Sequence, residues 1–122
     1  MGVVGLDHVQ LAIPAGGEEK ARGFYRDVLG LSEVPKPAIL SPGGCWFEGG
    51  SLNLHLGIDP DFRPATKAHP ALVVDDLESM RTRIEDAGYP ATDDKPLPSI
   101  ARFFTQDPFG NRIEIMQHLT WR

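Results

Sequence analysis

The chain has a single cysteine, Cys45, in 122 residues, which excludes an internal disulfide and agrees with a reducing, cytoplasmic setting. No local feature marks Cys45 as activated, so it reads as a small buried residue. Apolar runs such as "ALVV" are too short to cross a bilayer. A basic segment followed by an apolar stretch is missing near Met1, so no secretory signal is expected, and Leu6 stands where a myristoylation signal needs Ser or Thr. Dense Lys/Arg clusters are lacking and the formal net charge is −5, which argues against nucleic-acid and membrane partners. What remains is an ordinary soluble composition, 41% hydrophobic and 24% charged, in a chain sized for one domain spanning 1–122.

The pattern is that of an α+β protein. "LDHVQLAIP" alternates, with Val9, Leu11 and Ile13 on one face and His8, Gln10 and Ala12 on the other. Pro14 and Gly16-Gly17 end it. "EEKARGFYRDVLG" predicts a helix, with Ala21, Phe24, Tyr25, Val28 and Leu29 at helical spacing and Gly30 placed as a C-cap. A strand is expected between Leu31 and Leu40, then "GCWFEGG" and "SLNLHLG" as two more, joined through Gly49-Gly50. After a turn-rich linker, "GIDPDFRPATKA", the order restarts. "HPALVV" predicts a strand, Asp75 or Asp76 caps a helix in "DLESMRTRIEDAG", and "SIARFFTQ" and "NRIEIMQ" pair around "DPFGN". Two modules follow, about 3–57 and 67–119, each too small to be stable without the other.

Superimposing the halves aligns chemistry with chemistry. His8 matches His69 in the opening strands, and His55 matches Glu114 in the closing strands, where Ile113 and Ile115 flank Glu114 as Leu54 and Leu56 flank His55. Four metal-ligating side chains thus fall on equivalent faces, away from the helices. Imidazole and carboxylate suit Zn, Ni, Mn or Fe(II), and two His with one carboxylate also make the facial triad of non-haem iron enzymes. His55 is read as a fourth ligand, a base or an orienting partner. Gln10, Asn53 and Arg102 are candidate substrate-binding residues, Arg102 for an anionic group. Asp7 is expected on the face opposite His8, away from its ring. Trp46, Phe47, Phe103 and Phe104 are candidates to line a cavity or to fill the core, with the core favoured for each, and His118 reads as surface.

On "DHVQLAIP", "FYRDVLGL", "HPALVVDDL" and "DPFGNRIEI", in that order, the chain resembles the vicinal oxygen chelate superfamily of glyoxalase I, extradiol dioxygenases and fosfomycin- and bleomycin-resistance proteins. The resemblance implies paired βαβββ modules whose mixed sheets curl around a cavity, and a homodimer whose chains share the sites. It places divalent-metal ligands at His8, His55, His69 and Glu114. Glyoxalase I has an acid at the position of His55 and methylmalonyl-CoA epimerases a glutamine, so His55 departs from both.

Three functions compete. The first is a glyoxalase-like lyase or isomerase that works through a metal-bound enediolate of a small oxygen-chelating substrate, with Glu114 or His55 moving the proton. The second is an extradiol-type Fe(II) dioxygenase. The third is a metal-free binding protein that sequesters its ligand as bleomycin-resistance proteins do. Fosfomycin resistance ranks below these, because "DDKPLPSIA" lacks a phosphonate-binding loop rich in lysine and serine.

Overall fold

The first helix carries two acidic residues, Glu18 and Glu19, in its opening turn, where the backbone N–H groups favour negative charge. It runs as α1 over Glu18–Ala21 and then widens into a π-helical turn over Arg22–Arg26. Asp27 N donates to Arg22 O at 3.1 Å, and Leu29 N to Phe24 O at 2.9 Å, each spanning five residues. The neighbouring residues Phe24 and Tyr25 are both fully buried around this wider turn. The structure is a computed structural model that describes residues 1–119.

Among the described residues, seven strands accompany this helix and a second one. They are β1 (Val9–Ile13), β2 (Ser32–Val34), β3 (Cys45–Gly49), β4 (Leu52–Ile58), β5 (Ala71–Val73), β6 (Ile100–Gln106) and β7 (Arg112–His118). α2 spans Leu77–Asp86, and its N-cap is Asp76, whose side chain accepts from Ser79 N. Among the described residues the strands form two separate sheets, in the orders β1-β4-β3-β2 and β5-β7-β6. In each, the opening strand runs parallel to the closing one: Gln10 lies beside His55, and Ala71 beside Glu114. The expected α+β architecture and its repeat are therefore present, as two open mixed sheets. The second sheet has only an isolated bridge, Thr92 to Phe104, where the first has β2.

Strand alternation sorts the side chains. Leu11, Ile13, Leu54, Leu56, Cys45 and Phe47 turn inward from the first sheet, and Phe103, Ile113 and Ile115 from the second. Each large apolar side chain so buried contributes about 1.5–3 kcal/mol. Burial pushes the Cys45 thiol up, which favours its protonated form.

A polar junction joins the halves within this core. Asp107, at the start of the "DPFGN" turn, accepts from Tyr25 Oη at 2.7 Å and from Phe109 N and Asn111 N at 2.9 Å each. Asn111 Nδ2 donates back to Asp107 and onward to Ala12 O, both at 2.9 Å, while its Oδ1 accepts from Ala65 N. Desolvation, followed by the Asp107 charge, holds the Tyr25 phenol well above its ordinary range, so it stays a donor. The turn residue thus ties β1 and the first helix to β7.

Candidate metal and substrate site

The faces of the two sheets that turn away from the core hold every candidate functional side chain, and they differ. In the first sheet, register places Trp46 and Gln10 on either side of His55. Trp46 and His55 stack almost in parallel, ring centroids 3.8 Å apart at 4°. His8, just before β1, extends the stack at 4.2 Å and 20°. Trp46 is therefore not a core residue: its ring covers one face of the imidazole. Desolvation, and then the neighbouring His8, push the His55 pKa below the usual imidazole value, favouring the neutral ring.

Asp7 departs from the sequence reading. Its Oδ2 lies 2.9 Å from His8 Nδ1. Residues 7 and 8 precede the ladder of β1, so the alternation that would separate their side chains does not bind them. Asn53 Nδ2 donates to Asp7 O at 3.2 Å, fastening this extended arm to β4. The Gln10 amide lies over Gly57, so closely that a Cβ there would come within 2.7 Å of it.

In the second sheet the chemistry is ionic. Glu114 is buried to 9% exposure, and its Oε1 lies 3.0 Å from His69 Nε2. His69 Nδ1 lies 3.0 Å from Lys67 O. A carbonyl only accepts, so Nδ1 carries a hydrogen and Nε2 is the nitrogen left to face the carboxylate. A ligating histidine usually places its second N–H on a carbonyl in this way, and the 3.0 Å approach of Nε2 to the Glu114 carboxylate is attractive with a proton between them or a cation bridging them. Arg102 Nη1 donates to Glu114 Oε2 at 3.3 Å, and its Nη2 to Lys95 O at 3.0 Å. Arg102 is thus largely spent on holding Glu114 in place.

The four sequence-derived ligands come together as two pairs, His8 with His55 and His69 with Glu114. Among the described residues, no three His, Cys, Asp or Glu side chains of one chain gather as a metal-holding group. Sequence reasoning also passed over Arg112 and favoured the core over the cavity for Phe104. Phe104 packs edge-on to His69 with centroids 5.1 Å apart, and the Arg112 guanidinium lies over its ring at 3.9 Å. A signal was available: Arg112 stands two residues before Glu114 in one strand, hence on the same face.

Comparison with known proteins agrees with this architecture. The profile of the Glyoxalase/Bleomycin resistance protein/Dioxygenase superfamily matches residues 5–115. The chain belongs to this superfamily. A Bacillus anthracis protein described as a glyoxalase family member is 43% identical, with a TM-score of 0.91 over 97% of this chain and 98% of that one. The same superfamily fold recurs in the fosfomycin resistance protein FosX of Listeria monocytogenes, at 14% identity and a TM-score of 0.74 over 99% and 96% of the two chains. It recurs again in TnmS3, an antibiotic-binding protein of a Streptomyces species, at 22% identity and a TM-score of 0.71 over 97% and 98%. No curated protein matches the chain. No helix of the described residues is long and apolar enough to cross a membrane.

Proposed function

We propose that the chain is a small metal-dependent superfamily enzyme performing a glyoxalase-like lyase or isomerase reaction on a substrate with two neighbouring oxygens. The observation that supports this best is the His69–Glu114 pair, with one imidazole nitrogen committed to Lys67 O and the other facing a nearly buried carboxylate. Such a donor set suits Zn, Ni, Mn or Fe(II), held by His8, His69 and Glu114 with or without His55. A bound divalent ion would supply positive charge to the substrate oxygens as charge develops on them. Arg102 fixes the Glu114 carboxylate, and Trp46 shields one face of His55 from water. His55, favoured neutral, accepts the proton leaving the substrate carbon. Gln10 and Asn53 are the candidate polar contacts on that side.

The separation of the two pairs within one chain fits a homodimer in which one chain's His8 and His55 meet its partner's second sheet. Val3, Val4 and Leu6 of the arm and Val73 of the edge strand β5 are exposed apolar residues of the kind such an interface covers. The same separation also favours a second reading, a ligand-binding protein that uses no metal; TnmS3 is described as an antibiotic-binding protein. Two His and one carboxylate keep the Fe(II) dioxygenase as a third.

Elemental analysis of protein purified without added metal, with sedimentation of the same sample, separates these readings. Near-stoichiometric metal in a dimer, lost in His69→Ala, supports the enzyme. A screen of dicarbonyl–thiol adducts against catechols then distinguishes lyase or isomerase from dioxygenase. A metal-free protein that takes up no Zn, Ni, Mn or Fe(II) leaves the binding protein.

A further inference from the structure

Beyond the His69–Glu114 pair, a cavity of about 380 Å³ opens on the same face of the second sheet, lined by Thr66, Thr92, Asp93, Asp94, Phe104 and Arg112 among others. Phe104 joins the two places, touching His69 on one side and lying beneath the Arg112 guanidinium on the other. The charges of this cavity are unequally committed. Asp93 is paired with Arg81 at 2.6 Å. Asp94 accepts from Lys95 N at 2.7 Å and lies 3.8 Å from Arg102, which also holds Glu114. Arg112 is half-buried and makes no ion pair or side-chain hydrogen bond among the described residues. Its guanidinium is held over the ring by cation–π contact alone, which orients the plane and leaves the N–H edge free.

We infer that Arg112, set by Phe104, is the specificity residue for an anionic substrate, receiving a carboxylate, phosphate or phosphonate group whose bearer extends from the His69–Glu114 pair into this cavity. The inference rests on the proposed reading for where the rest of the substrate lies, and it adds the substrate's charge. Arg102, the anion-binding candidate by sequence, becomes the positioning residue for Glu114, and Arg112 takes over the recognition. A planar guanidinium of fixed orientation favours bidentate contact with an oxyanion, where a lysine would offer a point charge. Thr66 and Thr92 line the same cavity and bring hydroxyl donors to an oxyanion there.

The test is an NMR titration of the full chain with inorganic phosphate and, separately, acetate, at constant ionic strength. Binding should perturb the amides of Thr92, Phe104 and Arg112. In Arg112→Gln, which keeps much of the aliphatic stem over Phe104, affinity for the bound anion should fall about ten- to a hundred-fold, the usual worth of a hydrogen bond to a charged group. Arg112→Lys should recover part of it. A response to phosphate alone assigns a phosphate or phosphonate substrate, a response to acetate alone a carboxylate, and a response to both supports an anion site open to either group. An unchanged wild-type spectrum, equal affinity in Arg112→Gln, or shifts scattered over surface lysines overturns the inference. Zn titrated into the same samples keeps the two readings apart. Anion binding at Arg112 without metal uptake retires the metalloenzyme and leaves this site standing, whereas metal uptake with no Arg112 dependence retires this site alone.

Discussion

The two halves place polar groups at equivalent positions yet solve their electrostatics in opposite ways. The first half stacks three rings, Trp46, His55 and His8, and pushes its inner imidazole toward neutrality. The second sets a carboxylate between an imidazole and a guanidinium, with another guanidinium over the adjacent phenyl ring. The repeat thus carries a ring stack on one side and an ionic cluster on the other. Backbone symmetry and chemical symmetry are separate properties: His55 and Glu114 hold equivalent places in their closing strands, and their surroundings differ.

The comparison is broken most severely where the halves meet. Asp107→Ala removes the acceptor for the buried Tyr25 hydroxyl and for two backbone N–H groups, each orphaned buried donor costing about 1–3 kcal/mol. We expect a loss of about 3 kcal/mol or more, read from denaturant unfolding, with both halves unfolding in one transition. A variant that unfolds in two steps, one half at a time, would show that the junction does not couple them. Next in size is Glu114→Ala, which should lower metal affinity more than about 100-fold, above the 10–100-fold typical of a lost supporting partner. His55→Ala sharpens the contrast: as the base it should keep metal and lose turnover by about 10²–10⁴-fold. As a ligand it should lose metal alongside Glu114→Ala. Elemental analysis and rates on both variants decide between the roles.

Much of this was legible from the sequence because strand alternation and repeat position are local rules. The order of elements, the inward Leu54, Leu56, Ile113 and Ile115, and the outward His55 all follow from period-two patterning. What escaped depends on where a ladder begins and on which side chains meet across strands. Alternation was extended to Asp7 and His8, although the β1 ladder starts at Val9, so their contact was missed. Trp46 was weighed as core because an aromatic residue in a strand usually is. Alternation within β3 turns Trp46 away from the buried Cys45 and Phe47, but its partner, His55, is set by register, which is not written in either strand alone. The π-helical turn was invisible for a related reason, since Phe24 and Tyr25 also satisfy ordinary helical spacing.

The smallest effect tests the neutrality of the first half directly. Burial lowers the His55 pKa, so in metal-free protein its midpoint should lie below about 6.5, the ordinary imidazole value. Because the folded value is depressed, the folded state prefers the neutral ring, and this preference has no effect on stability above the unfolded pKa, where both states are neutral. As pH falls below about 6.5 the unfolded chain takes the proton first, so stability declines until the folded ring is protonated too. Trp46→Leu removes the ring that covers His55 and admits water to that face. The variant midpoint should therefore rise toward 6.5, and the decline of stability with falling pH should become shallower. An imidazole-proton NMR titration of wild type and variant reads the midpoints, and thermal melts between pH 5 and 8 read the linkage. If His55 titrates at the ordinary value in both proteins, the stack does not control its charge, and the two halves differ in residue type alone.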